Sequence, residues 1–248
     1  MTTPIRVGLC SITFRDLSVD EIIEVAVASG LDGIEWGADH HVPSGSAAES
    51  VAERCAAAGL ACPSYGSYVF VGRTANDEVE SVCVTAAALG ASNVRTWAPE
   101  GTTGTGLADV ADRAAEYRLT VSLEYHPGTA TETAAGTLDL LAAADRPNLF
   151  TYWQPDPTRP VSHALADLDA VADHLSHLHV FTWGPGGFTD RRPLVDGVDY
   201  WPKALASAGS PRWDGDRWAF LEYVPNDDPA CLPGEAEILR SWIADTSQ

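Results

Sequence analysis

The stretch Val121-Ser-Leu-Glu-Tyr-His-Pro127 decides the fold, because it is an apolar run that ends in a carboxylate and an imidazole before a Pro-Gly turn. A buried strand normally avoids ionisable groups, since burying an unpaired charge costs free energy. Three later stretches have the same form: 149–156 ends on a glutamine and an aspartate, 175–181 on a pair of histidines, and 218–224 on a second Leu-Glu-Tyr. Four strands that each deliver a metal-capable residue at the carboxyl end predict one shared site.

The rest of the chain alternates apolar strands with helices. Ser18 and Glu21 form a capping-box pattern that begins the first helix, and Gly30 ends it. Eight such strand–helix units, at roughly 25–35 residues each, predict a parallel α/β sheet closed into a single (β/α)8 TIM barrel. The main competitor is an open doubly wound sheet. We favour the barrel because it brings all strand ends to one mouth, and we expect one domain over residues 1–248.

The composition of the chain argues against several classes of function. The 248 residues carry 15 basic and 35 acidic side chains, a net charge of −20, and Lys203 is the one lysine. A field of this sign repels nucleic acid and anionic membranes. No apolar run reaches the ~18 residues of a membrane span. The five cysteines form no C-x-x-C pair and the first residues show no secretory pattern, so we expect a cytoplasmic protein with reduced thiols.

The four strand ends supply a defined ligand set. Glu124, Gln154, His179 and Glu222 offer two carboxylates, an amide oxygen and an imidazole. Such hard-to-borderline ligands suit a divalent cation: we favour Mn²⁺, with Mg²⁺, Co²⁺ or Zn²⁺ as alternatives, over a structural zinc site, which would use thiolates. Asp156 is the alternative to Gln154 as the ligand from strand six.

The chain resembles the xylose-isomerase-like barrels of the sugar isomerase/epimerase superfamily over nearly its whole length. The motifs that carry the resemblance are Gly33-Ile-Glu35-Trp36, Arg95, Leu123-Glu124, His177-Leu-His179, Leu221-Glu222 and the segment 193–201. The resemblance implies that Glu124, His179 and Glu222 hold a divalent ion. The chain departs from the family where Gln154 replaces the usual Asp, and a neutral amide would leave the ion more positive.

The resemblance also implies a mechanism. A keto-sugar or cyclitol would bind through its carbonyl, and Glu124 and Glu222 on opposite faces would remove and return a proton through a metal-stabilised enediolate. Further side chains are candidates for contacts with the substrate. These are Glu35, Trp36, Arg95, Trp97, His126, Trp153, His177, Arg191 and Arg192.

Four functions remain open at this point. The first is a sugar or cyclitol isomerase or epimerase. The second is a lyase on the same scaffold, such as a keto-inositol dehydratase or an enzyme that cleaves 3-keto-glycosides. A DNA-repair endonuclease would need a basic groove, which the net charge disfavours. A non-catalytic sugar-binding barrel would explain Gln154 as the mark of a decayed site. The expected partner is a small-molecule sugar or cyclitol, and a homo-oligomer stays open.

Overall fold

The prediction of a single TIM barrel is confirmed. The computed structural model describes residues 5–208 and 212–246, so 1–4, 209–211 and 247–248 of the predicted domain lie outside the described residues. Eight parallel strands close the barrel in the order β1-β10-β7-β6-β5-β4-β3-β2. Their bounds are β1 Ile5–Cys10, β2 Gly33–Gly37, β3 Ser64–Phe70, β4 Asn93–Trp97, β5 Thr120–Glu124, β6 Leu149–Trp153, β7 Leu175–Val180 and β10 Arg217–Leu221.

Helices alternate with the barrel strands. Their bounds are α1 Val19–Ala28, α2 Ala48–Ala57, α3 Asn76–Ala88, α4 Gly104–Glu116, α5 Ala134–Ala144, α6 Val161–Val171, α7 Trp201–Ser207 and α8 Leu232–Thr246. Between β7 and α7 lies a separate antiparallel hairpin of β8 (Thr182–Gly184) and β9 (Gly187–Arg192). Within the described ranges, no helix is long and apolar enough to cross a lipid bilayer.

The first helix shows how local sequence sets the element boundaries. The Ser18 side chain accepts a hydrogen bond from the Glu21 backbone N–H, and the Glu21 side chain accepts one from the Ser18 backbone N–H. This capping box satisfies two donors that the helix itself leaves free. At the other end Gly30 takes a φ of 63°, a left-handed conformation that glycine adopts without a Cβ clash. Both predicted ends of α1 are therefore confirmed.

Two apolar layers result from the alternation of side chains along the strands. The larger layer lies between the barrel and the helices, and it includes Leu9, Ile34 and Leu123. The smaller cluster comprises Cys10, Ile12, Tyr152, Trp218 and Phe220. Its rings pack together, with Trp218 and Phe220 stacked at a centroid distance of 5.6 Å. Each apolar side chain buried here contributes roughly 1.5–3 kcal/mol to folding.

Candidate active site

Three of the predicted ligands converge. Glu124 ends β5, His179 lies near the end of β7, and Glu222 directly follows β10. One ligand atom from each lies within 4.8 Å of the others, although the residues are far apart along the chain. Exposure is 3% for Glu124, 0% for His179 and 4% for Glu222. Parallel strands in a closed barrel end at the same mouth, and this explains the convergence.

Gln154 joins this cluster through Glu124. Its Nε2 donates a hydrogen bond of 3.1 Å to Glu124 Oε1, and the residue is 2% exposed. Asp156 has other partners, because its Oδ1 accepts hydrogen bonds from the backbone N–H and the hydroxyl of Thr158. The geometry therefore favours Gln154 over Asp156 as the contribution of strand six.

A buried polar network lies beside the cluster. Arg95 donates from Nε to Glu35 Oε1 at 3.1 Å and from Nη1 to Glu124 Oε2. The same Glu35 oxygen accepts a 3.1 Å hydrogen bond from His179 Nε2. Because Nε2 carries the proton, His179 presents Nδ1 as the free nitrogen, 3.5 Å from Glu222 Oε2. A carboxylate behind a histidine fixes the tautomer and orientation of a metal-ligating ring.

The electrostatics of these groups follow from burial and from their neighbours. Burial alone would raise the pKa of Glu35, but Arg95 and His179 outweigh it and hold that pKa well below its usual range. Burial would lower the pKa of His179, yet Glu222 and Glu35 raise it. The pKa of Glu222 is raised by burial. Glu35 and Arg95 are thus a permanent ion pair.

The cluster fits a divalent cation. Within the described residues, three of its buried atoms have no hydrogen-bond partner: Gln154 Oε1, His179 Nδ1 and Glu222 Oε2. Leaving such atoms unpaired costs about 1–3 kcal/mol each, which a ligand can offset. The three carboxylates of Glu35, Glu124 and Glu222 against one guanidinium leave two negative charges when the imidazole is neutral. Oxygen and imidazole donors of this kind suit Mn²⁺, Mg²⁺, Co²⁺ or Zn²⁺.

A second group of potential ligands lies beside the first. Ligand atoms of Cys10, Glu35 and His179 also fall within 4.8 Å of one another. However, Cys10 donates its thiol proton to Glu35 Oε1 at 3.3 Å, and burial raises the pKa of that thiol well above its usual value. A protonated thiol is a poor ligand, because metal binding requires the thiolate. We therefore infer that this group helps to hold His179 in position and does not bind a metal itself. That role was not predicted for Cys10.

Three predicted substrate contacts lie in the core instead. Trp36 and Trp153 are fully buried in the larger apolar layer, between the barrel and the helices, where Trp153 packs against Trp201. Neighbouring residues on a strand point to opposite faces, so an inward Glu35 places Trp36 outward. His177 points inward but packs edge-on against Trp213 at 4.9 Å and against Phe220. Burial lowers its pKa to about 3, so it is a neutral core residue.

Trp97 and His126 lie at the mouth, as predicted for substrate contacts. Together with Phe70 and Arg73 they line a cavity of about 270 Å³. The ring of His126 lies 4.8 Å from Trp97 and stacks on Phe188 at 5.6 Å with an interplanar angle of 9°. Rings of this kind can pack against the C–H faces of a sugar. The lining of this cavity does not include the ligand cluster.

Arg191 and Arg192 do not contact the ligand cluster. Arg191 forms an ion pair with Asp227 and lies 4.0 Å over the Tyr223 ring, whereas the exposed Arg192 pairs with Asp190. Arg191 therefore fastens the β8–β9 hairpin to the loop after β10.

The hairpin is not predicted by the alternation of strands and helices. The turn glycines at 184–187, flanked by strand-forming residues, are a hairpin signal. Phe188 from β9 stacks on His126 in the loop after β5. The hairpin thus covers part of the mouth.

A closed (β/α)8 barrel with a carboxylate–imidazole cluster at its mouth defines the class of protein. A family model described as "Xylose isomerase-like TIM barrel" matches residues 23–241, and the chain belongs to that family.

A 3-dehydroshikimate dehydratase of Bacillus anthracis is 24% identical over an alignment that covers 95% of this chain and 97% of the relative. Two solved structures share the fold. The protein IolI, crystallised with a bound zinc atom, is 16% identical with a TM-score of 0.71 and 98% coverage of both chains. A D-allulose 3-epimerase of a Methylomonas species, in complex with D-allulose, is 15% identical with a TM-score of 0.68 and covers 96% of this chain and 97% of its own. The dehydratase and the epimerase among these proteins are enzymes.

Proposed function

We propose that this protein is a divalent-cation-dependent enzyme that removes a proton next to the carbonyl group of a keto-sugar or cyclitol. The observation that carries the proposal is the convergence of Glu124, His179 and Glu222. Beside them Gln154 Oε1, His179 Nδ1 and Glu222 Oε2 are buried and have no hydrogen-bond partner among the described residues. A merely structural cluster would satisfy these atoms within the protein, because buried polar groups are nearly always hydrogen-bonded.

The four residues of the cluster have defined roles in this proposal. Glu124, Gln154, His179 and Glu222 would hold the cation, for which Mn²⁺ is our first choice. When bound, the cation supplies a Lewis acid that polarises a carbonyl oxygen and stabilises developing negative charge. Glu222, whose Oε2 is buried and has no hydrogen-bond partner among the described residues, would accept the proton.

The side chains at the mouth have a different task. Trp97 and His126 form a wall along which a small ring can lie. The low exposure of the cluster excludes water around the reacting atoms, and a dry site strengthens every electrostatic interaction within it. Isomerisation, epimerisation and loss of water all begin with this proton abstraction. Of these, the full-length similarity to a dehydratase favours loss of water as the second candidate beside isomerisation or epimerisation.

Cation binding is tested by titrating the chelator-treated protein with Mn²⁺ in a calorimeter. We expect one strong site, and we expect His179→Gln and Glu222→Gln to weaken it by at least ten-fold, as loss of a ligand or its support does in other metal sites. Glu235→Gln is the matched control, because Glu235 is also a buried carboxylate but bonds the Leu194 backbone N–H. Equal Mn²⁺ affinity in all four proteins would refute the proposed site.

Turnover is tested with a panel in deuterated water that contains D-allulose, L-ribulose and 3-dehydroshikimate. Solvent deuterium in recovered or converted substrate reports proton abstraction. We expect Glu124→Gln and Glu222→Gln each to abolish turnover, one mainly through loss of a ligand and the other also through loss of the base. Near-normal turnover in the Glu222 variant would exclude it as the proton acceptor.

A further inference from the structure

The two carboxylates of the cluster have different surroundings. Both oxygens of Glu124 receive hydrogen bonds, Oε2 from Arg95 and Oε1 from the Gln154 amide. The arginine is 2% exposed and carries a permanent charge, so its bond to Glu124 is charge-assisted. A carboxylate held by two donors is fixed in place, and two of its lone pairs are occupied.

Glu222 lacks such donors. Its Oε2 is buried and has no hydrogen-bond partner among the described residues. His179 Nδ1 lies 3.5 Å from that oxygen. The other nitrogen of this imidazole, Nε2, donates to Glu35. Glu222 therefore keeps lone pairs available for a proton from a bound molecule.

The amide at position 154 creates this difference. A carboxylate there could only accept hydrogen bonds, and it would repel Glu124 at the distance of 3.1 Å that Gln154 Nε2 occupies. The amide has two N–H donors and no charge, so it attracts Glu124 instead. Gln154 thereby adds a second donor to Glu124, and Glu222 receives nothing comparable.

We propose that Gln154 is a positioning residue that fixes Glu124, so that Glu222 alone transfers protons and the reaction is the loss of water from a β-hydroxy ketone. This inference rests on the proposed function and specifies which reaction follows the proton abstraction. Inversion of a carbon centre requires a proton to leave from one face and return to the other, which two separate groups perform. One proton-transfer group suffices for elimination.

The step balances with Glu222 alone. Its carboxylate takes the proton from the carbon next to the carbonyl, and the C–H electron pair forms the enolate of the substrate. The enolate re-forms the carbonyl, a C=C bond forms, and the C–O bond to the β-hydroxyl breaks with its electron pair on oxygen. The protonated Glu222 gives its proton to that oxygen, so water leaves and the carboxylate is restored. The product is an α,β-unsaturated ketone.

The first arm of the test needs no substrate. Gln154 is one of two glutamines in the chain, and the other, Gln248, is the last residue. In nitrogen-15 spectra of protein labelled at glutamine side chains, we expect the two amide protons of Gln154 to be widely separated in shift and to exchange with water at least ten-fold more slowly than those of Gln248. Glu124→Ala should abolish that slow exchange, whereas the control Glu235→Gln should leave it intact. Rapid exchange at Gln154 in the wild-type protein would overturn the positioning role.

The second arm measures the ratio of two reactions with Mn²⁺ bound. We expect the wild-type protein to release water from 3-dehydroshikimate and to form no epimer from D-allulose. Gln154→Glu keeps the shape but replaces the donor by a repelling oxygen, so the epimer should become detectable and the ratio should shift towards epimerisation. A merely structural role would lower both reactions in proportion and leave the ratio unchanged.

Several outcomes separate the two proposals. Epimerisation of D-allulose by the wild-type protein, or an unchanged ratio in Gln154→Glu, would overturn the one-base assignment while leaving the proposed function standing. Absence of Mn²⁺ binding would refute the proposed function itself. If Gln154→Leu, which removes the donor without adding charge, also shifts the ratio, the hydrogen bond to Glu124 is supported as the cause.

Discussion

Arg95→Met should cost about 3–5 kcal/mol of folding stability in the metal-free protein. The guanidinium is 2% exposed and bonds to two buried carboxylates, Glu35 and Glu124. Removing one partner of a buried ion pair leaves an uncompensated charge, and this typically costs about 3–5 kcal/mol. Methionine fills much of the same volume, so the loss should come from charge rather than from a cavity.

The assay is urea unfolding with a chelator present and again with Mn²⁺. Arg54→Met is the matched control, because Arg54 forms an exposed ion pair with Asp20 and should cost less than about 1 kcal/mol. A cation supplies positive charge near the stranded carboxylates, so Mn²⁺ should stabilise the Arg95 variant more than the wild-type protein. At 100 times the dissociation constant of the wild-type protein, binding contributes about 2.7 kcal/mol to the wild-type protein, and at the same Mn²⁺ concentration a variant that binds more tightly gains more.

Two results would refute this reasoning. One is an Arg95→Met cost no greater than that of Arg54→Met, which would mean that Arg95 does not neutralise buried charge. The other concerns the double variant Arg95→Met, Glu35→Gln. It removes one stranded charge and should recover part of the loss, so a cost equal to the sum of the two single changes would show that the two groups do not interact.

Three further predictions concern other parts of the molecule. Gly33→Ala should cost about 1–3 kcal/mol in thermal unfolding, because a Cβ there would lie 2.7 Å from the Ala61 carbonyl oxygen; an unchanged melting temperature would contradict this packing. Burial raises the pKa of Glu235, so the folded protein binds this proton more readily than the unfolded chain, and the residue contributes more stability as pH falls from neutral towards about 4.3. Glu235→Gln should therefore raise stability at pH 7 and flatten the pH profile on the acid side, as denaturant titrations at several pH values would measure. Arg191→Ala should speed chymotrypsin cleavage of the β8–β9 hairpin by on the order of ten-fold, whereas Arg192→Ala should not, and equal rates would remove the fastening role of Arg191.

Much of the site could be predicted because it depends on where strands end. Glu124, Gln154 and Glu222 each follow an apolar run at the same relative position, and strand topology alone brings such residues to one mouth. The same reasoning failed for Trp36 and Trp153, whose predicted contact with substrate ignored the alternation of a strand. Each is a direct neighbour of an inward polar residue and so faces the helices.

Other features depend on distances that a single sequence does not encode. Arg95 and Glu35 lie 60 residues apart, and their contact follows only from the register of β2, β3 and β4. The partner of Arg191 likewise lies 36 residues away in a loop. That loop holds Asp227 with a left-handed φ of 55°, an uncommon backbone for aspartate that the sequence gives no reason to expect.

The hairpin of β8 and β9 forms its own two-stranded sheet, apart from the barrel sheet. Its exchange for a hairpin of another length or composition would therefore leave the pairing of the eight barrel strands undisturbed. Grafting experiments can thus change which molecules enter the mouth, while the ligand cluster at the strand ends keeps its residues.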